Sequence, residues 1–269
     1  MKPTRHMVLI HGAWQGSWAF SAWTPLLQAE GWNVTAVNLP GNDASTDGER
    51  HAHLDGYTAH VQRILESLDG PAVVVGHSGG GITASQVAQA VPQRVSALVY
   101  LAGMMLPSGM RYSDLLTQAQ AADSELSPQS IAGIGPHLIW NEERSHSSVP
   151  MDAALALFLQ DCHATAALKA ASRLCPQPET GRAMVNQLSA DRFGNVPRIY
   201  VECLQDRSVI YPLQQRMQQL SPGARCISLD CGHVPQLACP QALTDVLLPV
   251  LNEITAKPLM NMSIPLINA

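Results

Sequence analysis

Short runs of apolar residues recur along the chain, and several are rich in valine, isoleucine and leucine. Runs such as VSALVYL (95–101) show almost no alternation of polar and apolar positions, so both faces of each strand are expected to be buried. Six runs of this kind predict β-strands, at residues 7–10, 33–38, 72–76, 95–101, 198–203 and 224–229. Strands that are buried on both faces are typical of a parallel sheet.

Helical patterns separate these runs. Helices are predicted at residues 17–30, 57–68, 79–90, 212–220 and 240–254. Regular alternation of strand and helix favours a doubly wound α/β domain with right-handed crossovers. The predicted sheet has six mostly parallel strands, and no convincing pair of strands precedes residue 7.

One long stretch interrupts the alternation. Residues 104–195 lack a clear strand, and helices are predicted there at residues 112–123 and 152–171 and near 179–190. The stretch is too long for a crossover, so we interpret it as a helical cap, or lid, inserted into a core of residues 1–103 and 196–257; a surface excursion without function is the alternative. The tail at 258–269 has no assignable role, and a homodimer is one of the arrangements that the sequence allows.

Composition excludes several classes of protein. The net charge is −5 and no basic run is visible, so nucleic acid is not an expected partner. No apolar stretch approaches 18 residues, so neither a membrane span nor membrane binding is expected. The six cysteines form no CxxC pair, which favours reduced thiols and a cytoplasmic protein. The spacing of Cys231, His233 and Cys239 matches no zinc pattern, and we expect neither a metal nor a cofactor.

The segment GHSGG (76–80) lies between a predicted strand and a predicted helix. It matches the G-x-S-x-G motif, with a strand before it and a helix after it. In that setting the motif forms a sharp turn that exposes a nucleophilic serine at the top of a sheet. Ser78 is therefore the candidate nucleophile. The alternative is a glycine-rich turn that happens to carry a serine.

A serine hydroxyl needs a base, and the base needs a carboxylate to orient it. Among the ten histidines, His233 follows the last strand, at the sheet edge where Ser78 is expected. Asp206 follows the preceding strand, whereas Asp230 is too close to His233 in sequence to orient it. His77 abuts Ser78, but its side chain is expected to point away. These positions predict a triad of Ser78, Asp206 and His233.

The turn after the first strand carries a candidate oxyanion hole. Gly12 permits a tight turn there, and the Ala13 N–H is expected to face the site together with the Gly79 N–H at the start of a helix. Gly12, Trp14, Met104, Met105, Leu106 and Trp140 are candidates for the wall of an apolar pocket, although each could equally pack in the core or the lid.

The chain resembles a known family over nearly its whole length. The matching segments are HGAWQGSW (11–18), WNVTAVNL (32–39), GHSGG (76–80), QDR (205–207) and GH (232–233). They are similar to the α/β-hydrolase branch of plant methylesterases, salicylate-binding esterases, α-hydroxynitrile lyases and their bacterial relatives. The resemblance implies the α/β-hydrolase fold, a six-stranded core, a helical lid and a Ser–Asp–His triad.

Within this branch, a few positions distinguish esterases from lyases. The lyases carry threonine where Gly12 stands and lysine where Val234 stands, so the resemblance favours an esterase. The esterases usually carry leucine where Gly79 stands, and an Asp-Leu pair where this chain has Asn38-Leu39, so their substrates do not carry over directly.

We expect a serine carboxylesterase that acts on a small to medium hydrophobic or aromatic ester through an acyl-enzyme. A hydroxynitrile lyase, a lactonase or amidase, and a non-catalytic receptor for small molecules stay open as alternatives.

Overall fold

A computed structural model of the chain describes residues 4–42, 46–122, 127 and 131–256. Its main sheet has six strands in the order β2-β1-β3-β4-β8-β9, and every neighbouring pair runs parallel. The strands of this sheet are β1 (Arg5–Ile10), β2 (Trp32–Ala36), β3 (Ala72–His77), β4 (Val95–Leu101), β8 (Arg198–Cys203) and β9 (Ala224–Leu229). The predicted α/β-hydrolase fold is confirmed, and all six predicted strands are present.

Helices cover both faces of this sheet. The helices of the described residues are α1 (Thr24–Ala29), α2 (Thr46–Glu49), α3 (Leu54–Ser67), α4 (Gly80–Ala90), α5 (Tyr112–Ala122), α6 (Met151–Leu157), α7 (Ala164–Ala171), α8 (Tyr211–Leu220), α9 (Pro235–Ala238) and α10 (Pro240–Ala256). Alternate residues of each strand enter opposite cores, because successive side chains of a strand point to opposite faces. Val74 packs in the core that includes residues of α3, α4, α5 and α8, whereas Val73 and Val75 pack in the core that includes residues of α1 and α10.

The chain leaves the main sheet after Leu101 and returns to it at Arg198; we call the described residues between these points the insert. Besides α5, α6 and α7, the insert contains a three-stranded antiparallel sheet of β5 (Ile139–Trp140), β6 (His146–Ser148) and β7 (Gln177–Pro178). The expectation that this stretch lacks strands is therefore wrong. Whether the insert is a separate lid domain stays a prediction, and the 258–269 tail lies outside the described residues.

Three of the predicted helices differ from the observed elements. Residues 17–30 form a 3₁₀ helix (Ser17–Phe20) and then α1, which starts afresh near Pro25 because proline suits the first turn of a helix. The predicted helix at 152–171 is divided into α6 and α7, since the residues between them turn to bond the core: Gln160 donates to the carbonyl of Gln205 at 3.0 Å, and the Gly232 N–H donates to Asp161.

The predicted helix near 179–190 is limited to a 3₁₀ turn at Glu179–Gly181. Side chains of α4 bind the backbone beyond it: Gln86 accepts from the N–H of Gln187 at 3.0 Å, and Gln89 accepts from that of Ser189 at 2.9 Å. These bonds replace the internal bonds of a helix. Among the described residues, no helix has the length and apolar character needed to cross a membrane.

Candidate active site

Ser78 occupies a sharp turn between β3 and α4. Its φ is +50°, a left-handed conformation that is costly for a residue other than glycine. Neighbouring strands hold this conformation: the Ser78 N–H donates to the Leu101 carbonyl at 3.2 Å, and the Ser78 carbonyl accepts from the Met104 N–H at 2.9 Å. The turn needs glycine on both sides, because an added Cβ at Gly76 would lie 2.7 Å from the Gly80 carbonyl oxygen, and one at Gly80 would lie 2.6 Å from that of Ile10.

The turn after β1 packs directly against Ser78. An added Cβ at Gly12 would lie 2.8 Å from the Cβ of Ser78, so a side chain at this position would displace the serine. Ala13 follows, and both Ala13 and Gly79 line the same pocket as Ser78. A Cβ added at Gly79 would lie 3.9 Å from the Ala13 nitrogen, which places the two residues side by side.

The N–H groups of Ala13 and Gly79 donate to no acceptor among the hydrogen bonds of the described residues. Unbound backbone donors at a pocket wall, one of them at the start of a helix, form a suitable site for a developing negative charge. The arrangement is therefore chemically competent as an oxyanion hole.

His233 and Asp206 form a buried pair. The ring Nδ1 of His233 lies 2.8 Å from Oδ2 of Asp206, and the two side chains are 2% and 0% exposed. Three further groups donate to this carboxylate: the N–H groups of Ser208 and Val209, at 2.7 and 3.0 Å, and the amide of Gln214 at 3.3 Å. These contacts hold the carboxylate in place, so Asp206 can orient the imidazole with its proton on Nδ1.

His77 connects Ser78 to His233. Its Nε2 lies 2.8 Å from the His233 carbonyl oxygen, and the two imidazole rings are 4.9 Å apart. The His77 side chain thus turns away from the pocket, as expected. No hydrogen bond between the Ser78 hydroxyl and the His233 ring is present among the described residues, so the structure brings these two residues to one region without joining them.

Two further histidines beside the site are held uncharged by burial. Burial and, to a lesser extent, the neighbouring His233 keep the pKa of His77 well below its usual range. Burial lowers the pKa of His11 to about 4. His11 accepts from the Leu39 N–H through Nε2 at 3.1 Å, and its Nδ1 faces the Gly12 carbonyl at 2.8 Å. A neutral ring with its proton on Nδ1 donates to the Gly12 carbonyl and accepts from the Leu39 N–H. It thereby links the turn after β1 to the segment that follows β2.

The insert closes the site from the opposite side. The Phe158 ring stacks on that of His233 with centroids 5.3 Å apart, and on that of Trp14 at 6.1 Å. Gln177 reaches the pocket from β7. Sequence reasoning missed both residues, since neither belongs to a motif: Phe158 lies at the end of α6, and Gln177 lies in a two-residue strand.

The predicted pocket wall is partly wrong. Gly12, Trp14 and Met104 line the pocket, but Met105 and Leu106 are fully buried in the core. The left-handed turn at Ala102, with φ +42°, precedes these residues, and only the first of the two methionines faces the pocket. Trp140 does not line it either; instead its ring lies under the guanidinium groups of Arg144 and Arg182, at 5.0 and 5.4 Å.

Side chains that the sequence did not point to complete the pocket. They are a mixture of apolar and polar residues. The apolar ones include Leu39, Leu116, Ile134, Met184 and Val209, and the polar ones include Asn42, Tyr57, Thr83, Tyr112, Gln177, Arg182 and Ser208. Among the described residues, no group of three or more His, Cys, Asp and Glu side chains is arranged to hold a metal ion.

Comparison with known proteins gives a consistent set of relatives. Residues 7–246 match the model of a family described as the alpha/beta hydrolase family. A putative chloroplastic methylesterase, methylesterase 11 of Arabidopsis thaliana, is 30% identical over 92% of this chain, which spans 64% of that protein's length. Salicylic acid-binding protein 2 of Nicotiana tabacum is 29% identical, with 93% of this chain and 98% of that protein covered.

Solved structures show the same fold. A pyrethroid hydrolase from Sphingobium faniae JZ-2 superposes with a TM-score of 0.80 at 23% identity, over 95% of this chain and 99% of that one.

Proposed function

Because the chain belongs to the alpha/beta hydrolase family, we propose that it is a serine carboxylesterase that cleaves small to medium hydrophobic or aromatic esters through an acyl-enzyme. One observation carries the proposal: Ser78 sits in a left-handed turn at a pocket wall, beside two backbone N–H groups that have no acceptor among the described residues. Such a turn presents a hydroxyl to a substrate, and the N–H groups suit the charge that an ester carbonyl develops under attack.

In the proposed reaction, the Ser78 oxygen attacks the ester carbonyl carbon while Nε2 of His233 takes the hydroxyl proton. The carbonyl oxygen becomes an oxyanion bound by the N–H groups of Ala13 and Gly79. Collapse of this intermediate expels the alcohol, which takes the proton from His233 and leaves an acyl group on Ser78. Water then attacks the acyl group, His233 again takes and returns the proton, and the carboxylic acid departs.

Asp206 has a supporting role in this reaction. It holds the proton of the His233 ring on Nδ1, so that Nε2 is free to accept from Ser78, and its negative charge stabilises the imidazolium that forms. The mechanism requires Nε2 to come within hydrogen-bond distance of the Ser78 hydroxyl when substrate is bound. Catalytic hydrogen bonds commonly tighten in this way on substrate binding.

The pocket supports the proposed class of substrate. The exposed surface of its wall is mainly apolar and includes leucine, isoleucine, valine and methionine side chains, and such a wall favours an apolar acyl or alcohol group. The relatives named methylesterase and pyrethroid hydrolase agree with a hydrolytic function, and a third is named for binding salicylic acid. Because these names point to different compounds, we leave the ester itself unassigned.

Cyanohydrin cleavage is less well supported. Val234, which follows His233, is fully buried and uncharged, so it offers no cation for a departing cyanide. A threonine at Gly12 would also need its Cβ to lie 2.8 Å from that of Ser78 in this backbone.

We also propose a cytoplasmic location. All six cysteines lie within the described residues and none forms a disulfide, which agrees with a reducing compartment.

The test is a panel of aryl and methyl esters, with mandelonitrile included, assayed with the wild type, Ser78→Ala and Ser113→Ala. Ser113 is an exposed serine of α5 and serves as the matched control. We expect ester turnover that falls by at least about 10³-fold in Ser78→Ala and is unchanged in the control. A fluorophosphonate should phosphonylate the Ser78 oxygen with loss of HF, so the peptide that contains Ser78 should gain the mass of the reagent less that of HF.

Three results would contradict the proposal: ester turnover that survives in Ser78→Ala, release of cyanide or aldehyde from mandelonitrile without ester turnover, and binding of these compounds with no turnover at all.

A further inference from the structure

Trp14 directly follows the candidate oxyanion donor Ala13, and its backbone is in a left-handed conformation with φ +62°. This conformation is unfavourable for a residue other than glycine and persists only where the surroundings hold it. The contacts of Trp14 must therefore hold this strained conformation in place.

All three polar groups of Trp14 are bound by the insert. Its N–H donates to the side-chain oxygen of Gln177 at 3.1 Å, and its carbonyl accepts from the Cys175 N–H at 3.0 Å. Its indole N–H donates to the backbone and hydroxyl oxygens of Ser147, each at 3.1 Å. A turn of the core is thus held by residues of the insert, some 130 to 160 positions away.

Gln177 binds the Trp14 N–H with its side chain, and the same side chain belongs to a closed ring of hydrogen bonds with Asn42 and Tyr57. Its Oε1 also accepts from the Asn42 amide at 2.5 Å, and its Nε2 donates to the Tyr57 hydroxyl at 3.2 Å. Tyr57 in turn donates to Oδ1 of Asn42 at 3.1 Å. Because a backbone N–H can only donate, Trp14 fixes the orientation of the Gln177 amide and with it the direction of the whole ring.

We propose that Gln177 is a positioning residue for the oxyanion hole. By accepting from the Trp14 N–H, it keeps the left-handed turn that holds the preceding Ala13 N–H beside that of Gly79. Without this bond, Trp14 relaxes toward an ordinary backbone conformation and the Ala13 N–H moves out of line. This proposal rests on the proposed esterase function, and it makes the insert a contributor to the chemical step as well as a cover for the pocket.

The variants separate this role from general packing. Gln177→Met keeps the length of the side chain and removes the acceptor, whereas Gln177→Glu keeps an acceptor oxygen for the Trp14 N–H. Thr180→Val is the matched control, since it removes another hydrogen bond from the insert to the core, the one at 2.7 Å to the Ala52 carbonyl, without touching Trp14. Gln177→Asn withdraws the acceptor by one carbon–carbon bond and keeps the amide, in case the methionine variant does not fold.

We expect Gln177→Met, or Gln177→Asn in its place, to lower kcat on an active ester at least about tenfold while KM changes less than about threefold, because an oxyanion donor acts in the transition state. Gln177→Glu should recover part of the loss, and Thr180→Val should match the wild type. The acid limb of the pH–kcat profile should stay where it is in the wild type, since His233 and Asp206 keep their contacts.

Amide hydrogen exchange, followed by NMR, gives a readout that needs no turnover. The Trp14 N–H should exchange slowly in the wild type and in Gln177→Glu, and at least about tenfold faster in Gln177→Met or Gln177→Asn. A wild type that hydrolyses esters, with a Gln177→Met variant equal to it in kcat, would overturn the positioning role. So would unchanged exchange at Trp14, or a loss that appears in KM alone. A wild type without ester turnover would instead sink the proposed function.

Discussion

The two sides of the candidate site are built in different ways. The core side consists of the turn after β1, at Gly12, and the turn between β3 and α4, at 76–80. Its segments pack closely: an added Cβ at Gly76 or Gly80 would lie 2.6–2.7 Å from a carbonyl oxygen, and one at Gly12 would lie 2.8 Å from the Cβ of Ser78. On the insert side, contacts are made by side chains such as Phe158, Met184 and Gln177. Backbone contacts of this kind leave no freedom for substitution, whereas side chains can be exchanged one at a time.

This difference suggests a division of labour. The core side sets the positions of the nucleophile and the N–H donors, which an acyl transfer needs within a few tenths of an ångström. The insert side sets the shape of the space that a substrate enters, and it touches the donors at one point, through the proposed bond from the Trp14 N–H to Gln177. We therefore expect substitutions on the core side to affect every substrate equally, and substitutions that face the open pocket to affect some substrates more than others.

The largest effect is expected for Gly12→Ala. The new methyl group would overlap the Cβ of Ser78, at 2.8 Å, and displace the nucleophile from the N–H donors. We expect kcat/KM to fall by about 10²–10³-fold or more on every ester tested. Gly70→Ala is the control, since a Cβ there meets no atom of the described part of the chain within 4 Å. A Gly12→Ala enzyme that retains wild-type kcat/KM on even one ester would show that the core side tolerates movement.

The same difference explains how much the sequence alone could predict. Local apolar runs such as Val95–Leu101 predict the strands of the main sheet. The turn at Ser78 is predicted by the glycines on both sides of the serine. The two- and three-residue strands β5, β6 and β7 have no pattern of their own. Their position depends on contacts with distant parts of the chain, which local sequence does not encode.

Side-chain direction beyond a strand end was equally hard to predict. Met104 and Met105 are adjacent and chemically identical, yet only the first lines the pocket. The direction depends on the left-handed turn at Ala102, and an alanine gives no signal of such a turn. Gln177 was missed for a related reason: its importance lies in the ring that it forms with Asn42 and Tyr57, 135 and 120 positions away.

Two buried histidines, His11 and His77, predict that the free energy of unfolding falls in acid. Burial lowers the pKa of His11 from 6.5 to about 4, and burial and the neighbouring His233 hold the pKa of His77 well below its usual range. Between pH 6.5 and 4 the unfolded chain therefore binds more protons than the folded one, so the stabilisation is complete above pH 6.5 and is lost as the pH falls. His11 alone should account for about 2 kcal/mol between pH 7.5 and 5.

Urea unfolding of the wild type and His11→Gln at these two pH values measures this contribution. Glutamine can accept from the Leu39 N–H but does not titrate, so the variant should lose less stability on acidification than the wild type does. His163→Gln, at an exposed histidine of the insert, is the matched control. An equal loss of unfolding free energy in the wild type and His11→Gln would contradict the assignment of a buried neutral ring at this position.

The smallest effect on activity is expected for a substitution at Gly79, which belongs to the core side but faces the open pocket. Gly79 is unlike Gly12: its φ is −56°, and among the described residues a Cβ built on it meets a single atom within 4 Å, the Ala13 nitrogen at 3.9 Å. A leucine side chain at this position can extend over that N–H into the pocket while the backbone N–H of residue 79 stays in place. We therefore expect Gly79→Leu to fold and to keep its activity on p-nitrophenyl acetate within about threefold, because removing space from a pocket discriminates by size.

Esters with a bulky acyl group should respond differently. Their kcat/KM should fall at least about tenfold relative to the acetate, with Gly79→Ala showing a smaller change in the same direction. Parallel losses on both esters would mean that the substitution disturbs the N–H donor rather than the wall of the pocket. In that case Gly79 would belong with Gly12 on the rigid side of the site, and the boundary between the two sides would lie deeper in the pocket.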